Sequence, residues 1–336
     1  MKKGFKFLII VLCAVIITGC GCKKKEEKKE VKKEEKKVEE VKEVKKVNII
    51  NVDSKSRPYA IVINNVGVAR KAQTGLQDAQ VIYEFLVEGG ITRFLAIYKD
   101  KNTSQIGTVR SARHNFLDMA FEYDAIFTHF GGSHYAYNDI KSTGINDIDG
   151  MTSNAFWRSN PYKLASEHTA YTNIEKLNSQ TKSKKYRTTT DTKWPLSYSA
   201  EEINLDGIDA KDISVPFSDY TKNTYKYDSE NKVYKRYVNG KEHVDMKTKK
   251  QFTFKNIIIA KMKWKMASDN YYLDITTVGS GSGYYITNGK AIEITWSKSG
   301  RKNQTVYKDK KGNVIKLNDG NTFIELQPTN QKTTIK

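Results

Sequence analysis

Alternation of apolar and polar side chains predicts a β-hairpin at residues 81–98. Its two halves, 81–88 and 91–98, are rich in β-branched and aromatic residues, and a Gly-Gly pair between them supplies the positive φ angles of a two-residue hairpin loop. Because side chains alternate between the two faces of a strand, the first strand has one wholly apolar face, which predicts core. Its opposite face carries Glu84 and Glu88.

A two-residue loop pairs Leu86 with Arg93, which places Arg93 diagonally between Glu84 and Glu88. This carboxylate–guanidinium cluster has two interpretations: a structural ion network, or a ligand-binding or catalytic face. The strand rise separates the two glutamates by about 13 Å, whereas the paired carboxylates of glycosidases lie roughly 5 to 10 Å apart. Glu84 and Glu88 therefore do not form such a pair with each other.

The spacing of apolar residues further along predicts a strand–helix–strand–helix unit. Its elements are a strand at 106–109, a helix at 112–123 with Ser111 as N-cap, a strand at 125–130, and a helix from His134 to about Gly144. Strand ends bind ligands in α/β proteins, and helix N-termini favour anions. We therefore predict an anion-binding site formed by Arg110, Arg113, Gly131, Gly132 and Ser133, together with Arg93 of the hairpin. The alternative is that Arg110 and Arg113 pair with Glu84, Glu88 or Glu122.

Three residues are candidates for acid–base catalysis: Glu84, Glu88 and His129. His129 lies inside the apolar strand 125–130, where a hydrogen-bonded core histidine is the competing interpretation. The histidines lack the tight spacing of a metal motif, so neither a metal nor a cofactor is predicted. Phe156, Trp157 and Arg158 predict a surface patch or a loop over this site.

From about Pro216 onward the pattern predicts an antiparallel β domain. Seven short segments alternate in the manner of strands, and Asn-Gly and Asp-Gly turns separate several of them. The Gly-Ser repeat at 279–283 lacks the ending of a phosphate-binding loop, so a flexible hairpin loop is expected there. The fold class predicted for the whole chain is α+β or mixed. An N-terminal α/β domain with a mixed sheet spans 57–200, and a mostly antiparallel β domain spans 201–330.

The N-terminus has the pattern of an exported, lipid-modified protein. Basic residues precede an apolar run of signal-peptide length, which ends in Ile-Thr-Gly-Cys at Ile17–Cys20. This ending resembles the lipobox of bacterial lipoproteins, which implies a signal peptide at 1–19, cleavage before Cys20 and lipid on Cys20. An ordinary signal peptide or a membrane anchor is the alternative. Residues 20–56 are expected to be a tether, because the stretch up to Lys46 is almost entirely Lys and Glu.

Net charge limits the binding partners that the sequence predicts, and cysteine content limits the chemistry available to the predicted domains. The formal net charge of the 336-residue chain is +19, with 57 basic and 38 acidic residues. Outside the cytoplasm a basic protein meets anionic lipid headgroups and wall polymers, and the lysines form no aromatic-interleaved stripe, so nucleic acid is not an expected partner. No cysteine follows Cys22, which excludes disulfide and thiol chemistry from the predicted domains.

Several motifs together resemble one family, the YerB-like lipoproteins or domain-of-unknown-function family 3048. They are RPYAIVINN, QTGLQDAQVIYEFLVEGGITRF, IGTVRSARHNFLDMAFEYDAIFTHFGGS, VYKRYVNGKEHVD and GSGSGYYITNGKAIEITWSK. The resemblance implies N- and C-terminal domains on a lipid-anchored extracytoplasmic protein, and it implies no settled activity. Where the family commonly has Pro-His-Asn, this chain has Glu167-His168-Thr169, which weakens any role for His168.

Three functions follow as hypotheses. The first is a binding protein of the cell membrane's outer surface, with an Arg/Glu-lined site for an anionic or sugar-containing envelope ligand or a protein partner. The second is an envelope hydrolase or transferase with Glu84 or Glu88 as acid or base. The third is a structural or assembly lipoprotein that presents an edge strand of its β domain.

Overall fold

The computed structural model of the chain describes residues 46–336. The predicted signal peptide and Cys20 lie outside the described residues, as does the Lys/Glu-rich stretch up to residue 45. From Asn48 onward the chain is fastened to the folded body, because the backbone N–H groups of Asn48 and Ile49 both donate to the Asp319 carboxylate at 2.8 Å. The tether predicted to reach residue 56 therefore ends before Asn48.

The first half of the described chain follows the predicted order of elements. Helix α1 (His114–Glu122) begins later than predicted, with Arg113 rather than Ser111 at the N-cap position. Gly144, with a φ of 65°, ends α2 (His134–Thr143) as expected. The elements are β1 (Tyr59–Asn64), β2 (Val81–Leu86), β3 (Thr92–Tyr98), β4 (Ile106–Gly107), α1 (His114–Glu122), β5 (Ile126–His129), α2 (His134–Thr143), β6 (Asp147–Asp149), β7 (Trp157–Arg158), β8 (Ala170–Thr172), α3 (Ile174–Ser183) and β9 (Tyr198–Ser199).

The second half is built of strands. Asn239-Gly240 and Asn288-Gly289 both have positive φ angles and form the predicted tight turns. The strands are β10 (Ile208–Asp209), β11 (Asp212–Pro216), β12 (Lys222–Asp228), β13 (Val233–Val238), β14 (Lys241–Glu242), β15 (Thr253–Phe254), β16 (Asn256–Met262), β17 (Trp264–Met266), β18 (Leu273–Ile275), β19 (Gly279–Thr287), β20 (Lys290–Lys298), β21 (Val306–Asp309), β22 (Leu317–Asn318), β23 (Thr322–Pro328) and β24 (Thr334–Ile335).

One large mixed sheet organises the described chain. Its strand order is β10-β20-β19-β16-β23-β2-β3-β1-β5-β6, with β21 paired to β20. The pairs β1–β5, β5–β6, β2–β23 and β16–β23 are parallel. A second sheet, β14-β13-β12-β11-β24 with β15 on β13, is antiparallel. The predicted fold class is confirmed: a mixed sheet in the N-terminal region and antiparallel sheets in the C-terminal region.

Apolar residues of the central sheet form two cores, one on each face. On one face α1 covers the strands, and the rings of Phe85 and Phe116 lie 4.4 Å apart. On the other face the second sheet packs against the strands, with Phe323 of β23 4.8 Å from Phe254 of β15. Successive residues of β1 to β3 alternate between these cores, as the period of a strand requires.

The hairpin β2–β3 differs from the prediction by one residue of register. Leu86 pairs with Thr92 and not with Arg93, because Val87 N–H donates to the Ile91 carbonyl at 2.9 Å and three residues form the loop. A slip of one residue moves every side chain of a strand to the other face. Arg93 therefore lies on the face of α1, away from Glu84.

The Gly-Ser repeat is a strand and not the expected flexible loop. Residues 279–283 are the first half of β19 and pair with β20 along their whole length. A Cβ atom on Gly283 would lie 2.0 Å from the Ile259 carbonyl oxygen, so glycine is required by the close approach of β16. The predicted domain boundary at residue 200 stays a prediction, and the central sheet contains strands from both sides of it.

Candidate functional site

Glu84 is fully buried between the two sheets, in an apolar strand. One of its oxygens accepts hydrogen bonds from Thr92 Oγ1 at 2.6 Å and Asn65 Nδ2 at 3.2 Å. The other accepts from Arg236 Nη2 and Asn223 Nδ2, both at 2.7 Å. The prediction that Glu84 belongs to an open face with Arg93 is wrong, because the hairpin register turns the two side chains apart.

The partner of Glu84 extends into a polar network that sequence reasoning missed. Arg236 also donates from Nη1 to His243 Nδ1 at 2.7 Å and from Nε to the Tyr225 hydroxyl at 3.3 Å. Tyr225 in turn donates to Glu325, and His243 Nε2 donates to Gln73. Burial and the charge of Arg236 lower the pKa of His243 well below its usual value, which keeps the imidazole neutral.

Glu325 shares this network as a second buried carboxyl. Burial and the negative charge of Glu84 raise the pKa of Glu325 well above its usual value, against the opposing effect of Arg236. Glu84 and Glu325 are direct neighbours on the parallel strands β2 and β23. A lone glutamate inside an apolar strand, in VIYEFL and again in TFIELQ, was the signal that could have linked them.

Glu88 forms a separate cluster with two arginines. Arg93 Nη2 lies 3.1 Å from one carboxylate oxygen of Glu88, and Arg113 Nε lies 2.9 Å from the other. The second Arg113 contact, from Nη2, completes a bidentate pair. Burial alone would raise the pKa of Glu88, but the hydrogen bond from Arg113 and both positive charges outweigh it and lower the pKa. Glu88 is therefore ionised and paired.

The two arginines of this cluster are also fastened to the backbone. Arg93 Nη1 donates to the Ser111 carbonyl and Arg113 Nη1 to the Ala112 carbonyl, each at 2.8 Å. Burial and the charge of Arg113 lower the pKa of Arg93 to about 9, although Glu88 opposes the shift. Both side chains are less than a tenth exposed. The expected alternative, that Arg113 pairs with a glutamate, describes this cluster.

Arg110 lines an open cavity of about 380 Å³, which we call the Arg110 cavity. Arg158 lines the same cavity, and the carboxylate of Glu167 lies 3.0 Å from Arg110 Nη2. Glu167 is half-exposed, so this pair is accessible to solvent. The cavity wall is completed by Val109, Ser111, Phe130, Gly131, Gly132, Tyr137, Met151, Ser166 and Ala170.

Gly131 and Gly132 are thus placed with Arg110, as predicted, whereas two other predicted residues lie behind the wall. Ser133 caps α2, its hydroxyl oxygen accepting from Ala136 N–H at 3.1 Å. His129 is fully buried, with Nδ1 2.8 Å from the Gly131 carbonyl and Nε2 3.3 Å from Asp147. Because both ring nitrogens have partners, His129 supports the Gly131 turn as a core histidine.

Arg158 lines the Arg110 cavity, and Asp149, which was not predicted, holds its glycine turn without lining it. Asp149 accepts from Gly131 N–H and from the Tyr137 hydroxyl, both at 2.8 Å, and so fixes the glycine turn. Arg158 stacks on Phe130, with its guanidinium carbon 4.8 Å from the ring centre. Phe156, Trp157 and Arg158 are predicted to be a surface patch or a loop over the site, and of these three Arg158 lines the cavity.

The Glu88 cluster is connected to the wall of the Arg110 cavity through the backbone of Ser111 and Ala112. Its arginines hold the carbonyls of Ser111 and Ala112, and Ala112 N–H donates to the Gly131 carbonyl at 2.9 Å. The predicted residues therefore divide into a buried network around Glu84, a supporting ion cluster around Glu88, and a cavity at Arg110. In residues 46–336, no three His, Cys, Asp or Glu side chains come together so as to hold a metal ion.

No helix between residues 46 and 336 is long and apolar enough to cross a membrane.

Comparison with known proteins assigns relatives to both halves of the chain. Residues 48–187 match the N-terminal domain, and residues 213–324 the C-terminal domain, of a protein family of unknown function, DUF3048. A curated protein of Bacillus subtilis (strain 168), named "Putative lipoprotein YerB", is 29% identical over 286 residues, 82% of each chain. The crystal structure of the YerB protein from Bacillus subtilis aligns with a TM-score of 0.73 at 28% identity, over 83% of this chain and 94% of that one.

Proposed function

The chain belongs to the DUF3048 family, and from this premise we propose that it is a lipid-anchored, extracytoplasmic binding protein whose Arg110 cavity holds an anionic group of a cell-envelope ligand. The lipobox-like Ile17–Cys20 supports the lipid anchor, as does the name of its relative from Bacillus subtilis. Membrane attachment at the cell surface follows from such an anchor.

One observation carries the proposal: two arginines and a single carboxylate line one open cavity. The partner of Arg110, Glu167, is half-exposed to solvent. Arg158 has no ion-pair partner within the described residues. Its polar contacts are to the Ser166 carbonyl and, at 3.2 Å, the Thr169 hydroxyl. Guanidinium groups bind carboxylate and phosphate bidentately. The cavity therefore has the charge and the donors that an anionic ligand requires.

Binding is favoured over acid–base catalysis because none of the three acid–base candidates lines this cavity. Glu84 is buried with Arg236, Glu88 is held by two arginines, and both nitrogens of His129 are engaged. A general acid or base must reach the substrate's proton within hydrogen-bond distance. The hydrolase or transferase hypothesis thus has no supporting residue at the cavity.

The test is calorimetric titration of the full-length chain, in neutral detergent, with inorganic phosphate. We expect Arg110→Ala to weaken binding roughly 10- to 100-fold, because a hydrogen bond to a charged group contributes about 1.5 to 3 kcal/mol. Glu167→Gln should tighten binding, because Glu167 competes with the ligand for Arg110.

Arg187→Ala is the matched control. Arg187, like Arg110, is an arginine in a solvent-accessible ion pair, with Asp124, and it does not line the Arg110 cavity. Equal affinities for Arg110→Ala and Arg187→Ala would contradict the proposed site.

A further inference from the structure

A second cavity, of about 410 Å³, lies beside Arg70 and is called here the Arg70 cavity. Three cations line it, Arg70, Lys71 and Lys241, against one carboxylate, Glu242. The remaining wall consists of Gly67, Val68, Leu164, Val238, His243 and Val244. The cavity is therefore positively charged with a partly apolar wall.

The cations of the Arg70 cavity are not neutralised by ion pairs. Within residues 46–336, none of the three has a carboxylate at ion-pair distance. Arg70 Nε donates to the Asn65 carbonyl at 3.3 Å, which leaves both terminal nitrogens for a ligand. Lys71 stacks over Tyr162, with Nζ 5.3 Å from the ring centre.

Burial and the nearby charge of Arg236 lower the pKa of Arg70, and Glu84 opposes the shift only in part. His243, at the back of the same cavity, is neutral because its pKa is also lowered. A bound anion would thus meet uncompensated positive charge there.

One surface segment, residues 160–168, contributes lining residues to both the Arg70 and the Arg110 cavity. Leu164 lines the Arg70 cavity, and Ser166 and Glu167 line the Arg110 cavity. Consecutive Cα atoms are about 3.8 Å apart, so Leu164 and Ser166 are separated by no more than about 7.6 Å. Lys163, Ala165, Ser166 and Glu167 are exposed, so a chain molecule could cross the segment.

We propose that the two cavities bind one linear polymer that carries phosphate groups at intervals, with the polymer crossing the 160–168 segment. This inference rests on the proposed function, since it extends the ligand of the Arg110 cavity to a second site. A phosphodiester polymer has the repeated charge that two separated cationic cavities require. The described part of the chain has the net positive charge that suits a polyanionic ligand, because residues 46–336 contain 43 basic and 30 acidic residues.

A polymer fits these cavities better than a flat anionic membrane. Both sites are concave, and residues of the 160–168 segment line each of them. A flexible chain can enter two concave sites, whereas a planar surface contacts only their rims. Binding in two sites at once increases affinity through effective concentration without any new contact.

The experiment is a titration of the full-length chain, in neutral detergent, with glycerol phosphate and with a length series of its phosphodiester oligomers. We expect affinity to rise roughly 100-fold once the oligomer is long enough to reach both cavities. Lys71→Ala/Lys241→Ala should abolish this rise and weaken monomer binding at the Arg70 cavity, while the affinity of the monomer for the Arg110 cavity, which neither lysine lines, is retained. Both lysines are exposed, so these changes should not affect folding.

Lys290→Ala/Lys310→Ala is the control of equal charge, since Lys290 is partly exposed, Lys310 is exposed, and both lie outside the two cavities. The proposal would be overturned if affinity rose only gradually with oligomer length and both double variants reduced that rise equally. So would vesicles containing phosphatidylglycerol that bind with the same dependence on Lys71 and Lys241, because the surface would then face a membrane.

The two proposals fail in different ways. If the monomer binds and Arg110→Ala weakens it, but oligomers bind no tighter, only the polymer inference is wrong. If Arg110→Ala changes neither monomer nor oligomer binding, the proposed function is wrong, and the bridging between cavities is wrong with it.

Discussion

At the scale of single residues, the central feature is a pair of neighbouring buried carboxyls of which one is ion-paired. Glu84 and Glu325 are both fully buried, and within residues 46–336 Arg236 is the cation at ion-pair distance from Glu84. Asn223 Nδ2 lies within 3.1 Å of both carboxyl groups. Two like charges at this separation in a buried site are not both retained, so Glu325 keeps its proton.

Because Glu84 is ionised and Glu325 is protonated, replacing each by glutamine should have very different effects on stability. Glu84→Gln should lower the free energy of unfolding by about 3 to 5 kcal/mol, because it leaves Arg236 buried without a counter-charge. Glu325→Gln should change it little at pH 5, because an amide replaces a neutral carboxylic acid of similar shape. Urea denaturation measures both.

The Glu325 variant also has a predicted pH dependence. The folded-state pKa of Glu325 is raised from 4.5, so its proton favours folding fully below pH 4.5, and that contribution is lost as the pH rises through the folded-state value. Glutamine has no such proton to lose, so Glu325→Gln should become more stable than the natural chain as the pH rises from 5 to 8. A difference that stays constant with pH would argue against a protonated Glu325.

At the scale of elements, loop length decided the composition of the candidate site. The Gly-Gly pair predicted a hairpin, which is confirmed, but the loop has three residues and not two. Gly89 and Gly90 have φ angles of 68° and 71°, which either loop length accommodates. The choice follows from core packing, because the observed register places Phe94 of β3 in contact with Phe323.

Strand β19 gives the element-scale prediction. Gly283→Ala should lower the free energy of unfolding by about 1 to 3 kcal/mol, because its Cβ would clash with the Ile259 carbonyl and β16 would have to move. Ser282→Ala is the control, since Ser282 is exposed on the same strand. Thermal unfolding measures both, and equal midpoints for the two variants would show that β16 and β19 are not closely paired.

At the scale of the whole molecule, the two halves of the described chain complete each other's structure. Strand β23 lies between β16 and β2, so a strand near the C-terminus holds the first hairpin. Lys298 of β20 and Glu122 of α1 form a buried ion pair of 2.8 Å. Arg301 contacts Asp118 of α1 at 2.6 Å. The central sheet therefore predicts a single cooperative unit.

This topology predicts that neither half folds alone. Fragments 46–200 and 201–336 should each lack cooperative unfolding, because separating β2 from β23 leaves one edge of each of these buried, apolar strands unpaired. Near-ultraviolet circular dichroism of each fragment, and of a mixture of the two, measures this. A cooperative transition in fragment 46–200 alone would instead support an independent N-terminal domain.

Local pattern predicted much of the fold and part of the candidate site. Strands β2 and β3 lie within the segments where alternation placed them, α2 ends at Gly144, and Arg110 shares a cavity with Gly131 and Gly132. These features depend on neighbours close in sequence, or on strand ends that the α/β order brings together. The signal-peptide pattern at the N-terminus and the family resemblance also depend on short sequence motifs, so both can be recognised from local sequence.

What the sequence alone determined is the order of elements, the mixed fold class and the family; what only the tertiary structure decided is which charge meets which. Glu84 meets Arg236 across 152 residues of sequence, and the pair exists because the second sheet packs on one face of the central sheet. Glu88 meets Arg93 because one added loop residue turned Arg93 toward the face of α1, where Arg113 also contacts Glu88. Side-chain pairing depends on register and on packing between distant strands, and neither is encoded in a local pattern.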